Sequence, residues 1–291
     1  RRVLALKPNY VEAKANLALV LQARDLTQEA IQLLFDVVTN DPTNPQYRRI
    51  LVEALRGVAI NRAGEKVRNV LLSLCVDDNV STKFLMTSIV ALIKSGESFQ
   101  ILRNYARRGE DPFTSGDPAV AAFLREPLLL AALPRMPMAN AEMEEVLDYI
   151  RRCILLRFGA ATALASANPD VPAEFVYALA RQCFFSGYAF FADENELQRV
   201  ASLRDALQDT LQEANANPRT LETSLAITAL YDSLHTLKGC ERLLEHPMAD
   251  WSESFRPIVH EQIRDRERER EIAVQLTSIT TIDDKVSLAV R

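Results

Sequence analysis

The chain has 291 residues, 48% of them apolar and 25% charged, with a net charge of −5. That balance fits one large or two ordinary folded domains. It does not favour a nucleic-acid binder, which carries a basic patch or stripe, and the lack of an 18-residue apolar run leaves no expected membrane span.

Glycine is scarce, Leu, Ala, Glu and Arg abound, and few β-branched runs of strand length occur. These features predict an all-α fold. Cys75, Cys153, Cys183 and Cys240 are far apart, without a CxxC pair. They read as free buried thiols of a reducing, cytoplasmic compartment. His235, His246 and His260 make no ligand pair with them at helical spacing, so no zinc site is expected.

In chain order, RRVLALKPNY reads as the end of one helical repeat and VEAKANLALVLQARDLTQEAIQLLFDVVTNDPTN as a whole one. Pro8 and Pro42 are 34 residues apart. This period resembles the tetratricopeptide repeat. A chain that starts inside a repeat is expected to belong to something longer. Helix A is predicted over residues 11–24 and helix B over Thr27–Asn40. Ala18 and Ala30 are small where the two helices must approach. Leu17, Leu21, Leu34 and Val37 fill the seam. Asp25 takes the tight turn where the repeat family places glycine. Pro42 is expected to stop helix B and start the next helix.

Residues 45–78 read as a degenerate unit. Leu51 and Leu55 keep the helix A register, and Gly64 takes a small helix B position. Residues 80–93 and 97–106 are predicted as a further, cap-like pair turning at Ser95-Gly96. The segment 107–118, RRGEDPFTSGDP, reads as a junction loop. It divides repeats (1–106) from a helical domain (119–271), with a linker over 272–291.

Beyond the junction, residues 119–133 read as one helix ending at Pro134. Asn140 is placed as the cap of a helix to Phe158. Glu142, Glu144 and Glu145 sit near its positive end, and Arg151, Arg152 and Arg157 near its negative end. Pro172 starts a helix over Ala173–Phe185. Asp193 and Glu196 form a capping box, and Asn217-Pro218 starts another helix. RDRERERE, residues 264–271, reads as a solvated helix with i,i+4 charge pairs. LTSITTIDD, residues 276–284, suits an extended linker or edge strand. The architecture expected is a short tetratricopeptide array followed by an irregular helical bundle or solenoid.

Three stretches of the second half, FLREPLLLAAL, FVYALARQCFFSGYAFF and ITTIDDKVSLAVR, together with the repeats, resemble the front part of bacterial proteins in which tetratricopeptide repeats precede a class I S-adenosylmethionine-dependent methyltransferase domain. The resemblance implies that catalysis and cofactor binding belong to a domain beyond Arg291. The chain itself has no glycine-rich turn between strand and helix of the kind that binds the cofactor. No cofactor site is therefore expected in this chain, and S-adenosylmethionine is expected for the parent protein.

Catalytic patterns are missing as well: no G-x-S-x-G elbow, P-loop or HExxH occurs. Asp283-Asp284 are neighbours that face no common site, His235 and Cys240 form an unmarked couple, and Trp251 near Phe255 reads as a hydrophobic anchor. Phe184, Phe185, Tyr188, Phe190 and Phe191 are too many for one helical face. They read as core, or as a surface for another domain.

Tetratricopeptide helices A line a concave groove that takes a protein or peptide. The resemblance puts Glu12, Ala15, Asn16, Leu19, Gln22 and Ala23 of the first repeat at that groove, with Gln46, Arg49, Glu53 and Arg56 of the second. Ala15 and Leu19 replace the polar residues of a carboxylate clamp, leaving Asn16 and Arg49 suitable. The bland alternative is that these side chains face solvent or the next helix. The functional expectation is a protein–protein interaction scaffold that presents a partner to the methyltransferase domain. Alternatives are a helical domain that completes the enzyme's active site, or a self-association module.

Overall fold

The computed structural model describes residues 2–158, 171–212 and 217–279. Among them every regular element is helical, and no strand occurs. The first half comprises α1 (Arg2–Leu6), α2 (Val11–Gln22), α3 (Thr27–Asn40), α4 (Pro45–Ala54), α5 (Glu65–Cys75), α6 (Met86–Lys94) and α7 (Glu97–Arg108). Helices α2 and α3 form an antiparallel pair, and α3 also packs on α4 and α5. Ala18, Ala30, Leu34 and Val37 are fully buried between them, as their positions require.

The first helices of the two units begin at Val11 and Pro45, again 34 residues apart. Pro42 is not the starter, however. It lies in the turn after α3, while Pro45 occupies the first helical turn of α4 and Asn44 caps it. The Asn44 side-chain oxygen accepts from the Gln46 and Tyr47 backbone N–H groups, at 3.1 and 3.4 Å. A proline without an N–H fits where that donor has no helical partner. Gly64 is not inside a helix either. It is the residue preceding α5, with extended backbone angles, because the degenerate unit inserts an irregular stretch after α4. Asp25 does occupy the α2–α3 turn in the left-handed region, at φ 60°.

The core continues across the segment 107–118. Phe113 is buried there, and residues from Ala18 to Ile263 share one hydrophobic cluster. Three polar ties cross the same region. Tyr149 donates to the Glu110 carbonyl at 2.5 Å, Arg157 meets Asp111 at 3.0 Å, and Glu142 binds both Lys94 and Arg103.

The apolar run 119–133 is two helices, α8 (Pro118–Leu124) and α9 (Pro127–Ala132). Pro127 breaks the run, because it disfavours helical geometry at the preceding residue. Next come α10 (Ala141–Phe158), α11 (Ala173–Phe185), α12 (Glu194–Gln212) and α13 (Pro218–Ala229). Asn140 caps α10 through the Met143 N–H, at 3.3 Å. The capping box of α12 is reciprocal: Asp193 N–H donates to Glu196, and Glu196 N–H to Asp193. Helix α11 ends through Gly187 and Tyr188, both left-handed, with the Tyr188 N–H returning to the Cys183 carbonyl at 2.9 Å. This six-residue closure satisfies a terminal carbonyl of the helix.

Helix α14 (Arg256–Val259) runs through a π-helical turn, His260–Arg264, into α15 (Asp265–Ile279). The turn places buried Gln262 so that its side-chain oxygen accepts from the Leu234 N–H at 3.1 Å. The expected extended segment is therefore corrected at its start, since residues 276–279 are helical. Residues 280–284 lie outside the described residues. The charge pairs on α15 are spaced i,i+3, Arg266 with Glu269 and Arg270 with Glu267.

Helix α10 joins the halves by packing on α7, α12 and α13. Of its three arginines read as serving its C-terminal end, only Arg157 lies in its last turn. Arg152 pairs with Asp193 at 2.6 Å, and Arg151 is only 2% exposed. The Arg151 guanidinium lies 3.7 Å from the Phe190 ring centroid and 4.3 Å from that of Tyr231. It donates to Glu196 at 3.3 Å and to the Phe191 carbonyl at 3.1 Å. Tyr231 donates to the same Glu196 carboxylate at 2.7 Å.

Two outcomes follow for stability. Arg151→Met strands the buried Glu196 charge and is expected to cost about 3–5 kcal/mol in chemical denaturation. Adding Glu196→Gln should recover part of that loss, and no recovery would refute the stranded-charge account. Asp25→Gly should raise stability by about 0.5 kcal/mol, because glycine accepts the left-handed backbone at the cost of some unfolded-state entropy.

Candidate functional site

A cleft at the predicted groove positions opens between α4 and the segment 77–84, with a volume of about 590 Å³. One wall follows from helical spacing. Gln46, Arg49 and Glu53 recur at i, i+3 and i+7, which puts them on one face of α4. All three are exposed, and all three border the cleft. Val52, Val80 and Phe84 supply apolar surface. Buried apolar wall with a few polar groups around it is the usual composition of a binding pocket.

The opposite wall is held by Arg48. Its Nε donates to Asp77 at 2.8 Å, one terminal nitrogen to the Pro42 carbonyl at 2.9 Å, and the other to the Ser73 carbonyl at 2.8 Å. Ser73 lies in the last turn of α5, where a cation is favourably placed against the helix dipole. Asp77 also accepts from the Asn79 backbone N–H at 3.0 Å and side-chain N–H at 3.1 Å. The backbone bond, the Asn79 amide and the Arg48 guanidinium together hold the Asp77 carboxyl below the usual carboxylate range, against a smaller opposing effect of burial.

Arg56 lies beyond the end of α4, with its guanidinium 4.0 Å from the Phe84 ring centroid. The Lys83 ammonium is 5.2 Å from the same ring. The cation-lined ring closes one side of the cleft. Within this neighbourhood Arg48 is matched by Asp77, leaving Arg49, Arg56 and Lys83 against the carboxylates of Glu53 and Asp78.

Of the sequence-predicted groove residues, Gln46, Arg49 and Glu53 meet at the cleft, and Arg56 backs its Phe84 wall. Glu12, Asn16, Leu19 and Gln22 do not border it. They lie on α2, where Glu12 accepts from the Tyr10 hydroxyl at 2.7 Å and Leu19 is 44% exposed. Sequence reasoning missed Arg48, Asp77 and Phe84. The Asp77-Asp78-Asn79 run is a turn signal, but nothing local links it to an arginine 29 residues upstream.

The other candidates resolve individually. The Cys240 thiol approaches the His235 carbonyl oxygen at 3.6 Å, whereas the His235 ring bonds the Ser233 hydroxyl at 2.7 Å, so no Cys–His couple forms. Trp251 is fully buried against Phe255, with ring centroids 5.5 Å apart. Phe185 and Phe191 are 55% and 83% exposed, while Phe184, Tyr188 and Phe190 are half-buried. Asp283 and Asp284 lie outside the described residues. No three His, Cys, Asp or Glu side chains among the described residues converge as a metal site would require. No described helix is long and apolar enough to cross a membrane. Comparison with family models, with curated proteins and with solved structures found no match.

Asp77 supplies a pH test of the cleft wall. Its carboxyl should titrate below about 3.9, the unperturbed value, when followed by carbon NMR. A group whose folded pKa is depressed contributes stability above its unfolded pKa and loses it as pH falls through the folded pKa. Asp77→Asn should therefore remove an acid-dependent part of stability below about pH 4. A midpoint at or above the unperturbed value would contradict the hydrogen bonding described.

Proposed function

We propose that this chain is a protein-interaction scaffold whose cleft beside α4 grips an extended segment of a partner protein. The observation that carries this reading is the convergence of Gln46, Arg49 and Glu53 around apolar Val52, Val80 and Phe84 in a cleft of about 590 Å³. The apolar surface provides affinity, and the exposed charges provide register and selectivity. The excess of cations near the rim favours a segment carrying acidic side chains.

The sequence resemblance extends the proposal. The scaffold would present its partner to an S-adenosylmethionine-dependent methyltransferase domain, with this chain supplying the grip and the other domain the chemistry. The free, buried cysteines support a reducing, cytoplasmic setting. A second reading, self-association through α1 and α2, draws on Leu6 and Val20, which are 85% and 50% exposed. Sedimentation at several concentrations separates it from the first.

The test is an array of extended peptides probed with the chain and with its Arg49→Glu and Val52→Asp variants. Acidic peptides should bind, Arg49→Glu should weaken them by about tenfold, roughly 1.4 kcal/mol, and Val52→Asp should abolish binding. Peptides that bind all three proteins equally would overturn the assignment. Calorimetry with S-adenosylmethionine is expected to give no heat with this chain, and heat would move the cofactor site into it.

A further inference from the structure

The two walls of the α4 cleft run in the same direction. Arg48, in the first turn of α4, bonds Asp77, and Arg56, just past its end, lies over the Phe84 ring. The segment 77–84 therefore passes along α4 from its start to its end. An entering chain is flanked lengthwise by Gln46, Arg49 and Glu53 on one side and by Val80 and Phe84 on the other, over buried Val52.

The charges on the α4 side alternate in sign. Arg49 is followed on the same face by Glu53, and beyond the helix Arg56 shares the Phe84 ring with Lys83. All four are exposed, and none is ion-paired among the described residues. Asp78 is exposed in the turn and does not line the cleft. Helix and extended chain advance here by matching distances. The four helical residues from Arg49 to Glu53 rise about 6 Å at 1.5 Å each, and two extended residues span about 6.6 Å at 3.3 Å each. Successive side chains of an extended chain point to opposite sides. Every second one would meet Arg49 and then Glu53 in step, while those between turn toward Val80 and Phe84.

We infer that the partner segment carries an alternating motif, acid–apolar–base–apolar–acid. The first acid meets Arg49, the base meets Glu53, and the second acid meets Arg56 and Lys83, with the two apolar side chains on Val80 and Phe84. This rests on the α4 cleft being the docking surface proposed for the chain. It makes Glu53 the residue that decides against a segment acidic throughout, because like charges brought face to face penalise the wrong partner. Three cations around one lining carboxylate keep the motif acidic in net charge.

The probes are three capped peptides that differ only at the centre: acetyl-Glu-Val-Lys-Val-Glu-amide and its counterparts with Gln or Glu in place of Lys. Calorimetric titration of the whole chain should rank them Lys above Gln above Glu, by about threefold in affinity per step, the worth of one exposed ion pair. Glu53→Lys should invert the ranking, which also shows that the variant is folded. The milder Glu53→Gln should remove the preference for Lys over Gln. Val52→Asp should abolish binding of all three. Peptides that bind the chain and fail on Val52→Asp, yet lack this ranking or keep it unchanged in both Glu53 variants, would overturn the motif and leave the cleft standing. Binding by none of the peptides, or binding that survives Val52→Asp, would overturn both.

Discussion

The packing of the second half depends on one buried guanidinium. Arg151 is removed from water, so its charge must be met inside the protein or left at a cost of several kcal/mol. Besides Asp148 on its own helix, four groups from three other parts of the chain meet it: the Glu196 carboxylate at the start of α12, the Phe190 ring and Phe191 carbonyl after α11, and the Tyr231 ring after α13. A planar, delocalised cation can stack between two rings and donate in its own plane at once, which an ammonium cannot. The side chain thereby fixes the rotation of α10, and with it the face that α10 turns toward α11. The capping box of α12 adds to this, because Glu196 both caps its helix and receives Arg151.

Much of the helical layout was legible because it is written locally. Asn140, Pro172, the Asp193–Glu196 box and Asn217-Pro218 all mark helix starts where the structure has them, since each acts on backbone groups within three residues. The all-α class follows from composition and periodicity. Misreadings came where two local signals competed. Pro42 and Pro45 are both candidate starters, and only the Asn44 side chain decides between them. Pro127 was overridden by the apolar run around it. The Thr- and Ile-rich stretch from 276 was read by propensity, which spans only tenths of a kcal/mol per residue and yields to a helix already propagating from Asp265.

The candidate sites were less legible because they are assembled from distant residues. The α4 positions follow from heptad-like spacing and a family resemblance. Their counterpart wall does not, since Arg48 lies on α4, Asp77 in the turn beyond α5 and Phe84 in a third segment. Arg151 shows the same limit more sharply. In sequence it is one of several arginines near a helix end, where the dipole gives an adequate reason for it. Its burial depends on partners 40 to 80 residues downstream, and no local pattern names them.

The Arg48 strut has a consequence for how the α4 cleft would work. Its bonds to Ser73 and Asp77 tie α4 to the opposite side, its bond to Pro42 steadies its own, and together they set the separation before anything enters. A cleft of fixed width does not spend association free energy on ordering itself. Its selectivity is then mainly geometric: an entrant that matches the preset gap is taken with little rearrangement, and one that does not must break a hydrogen-bonded brace to be admitted.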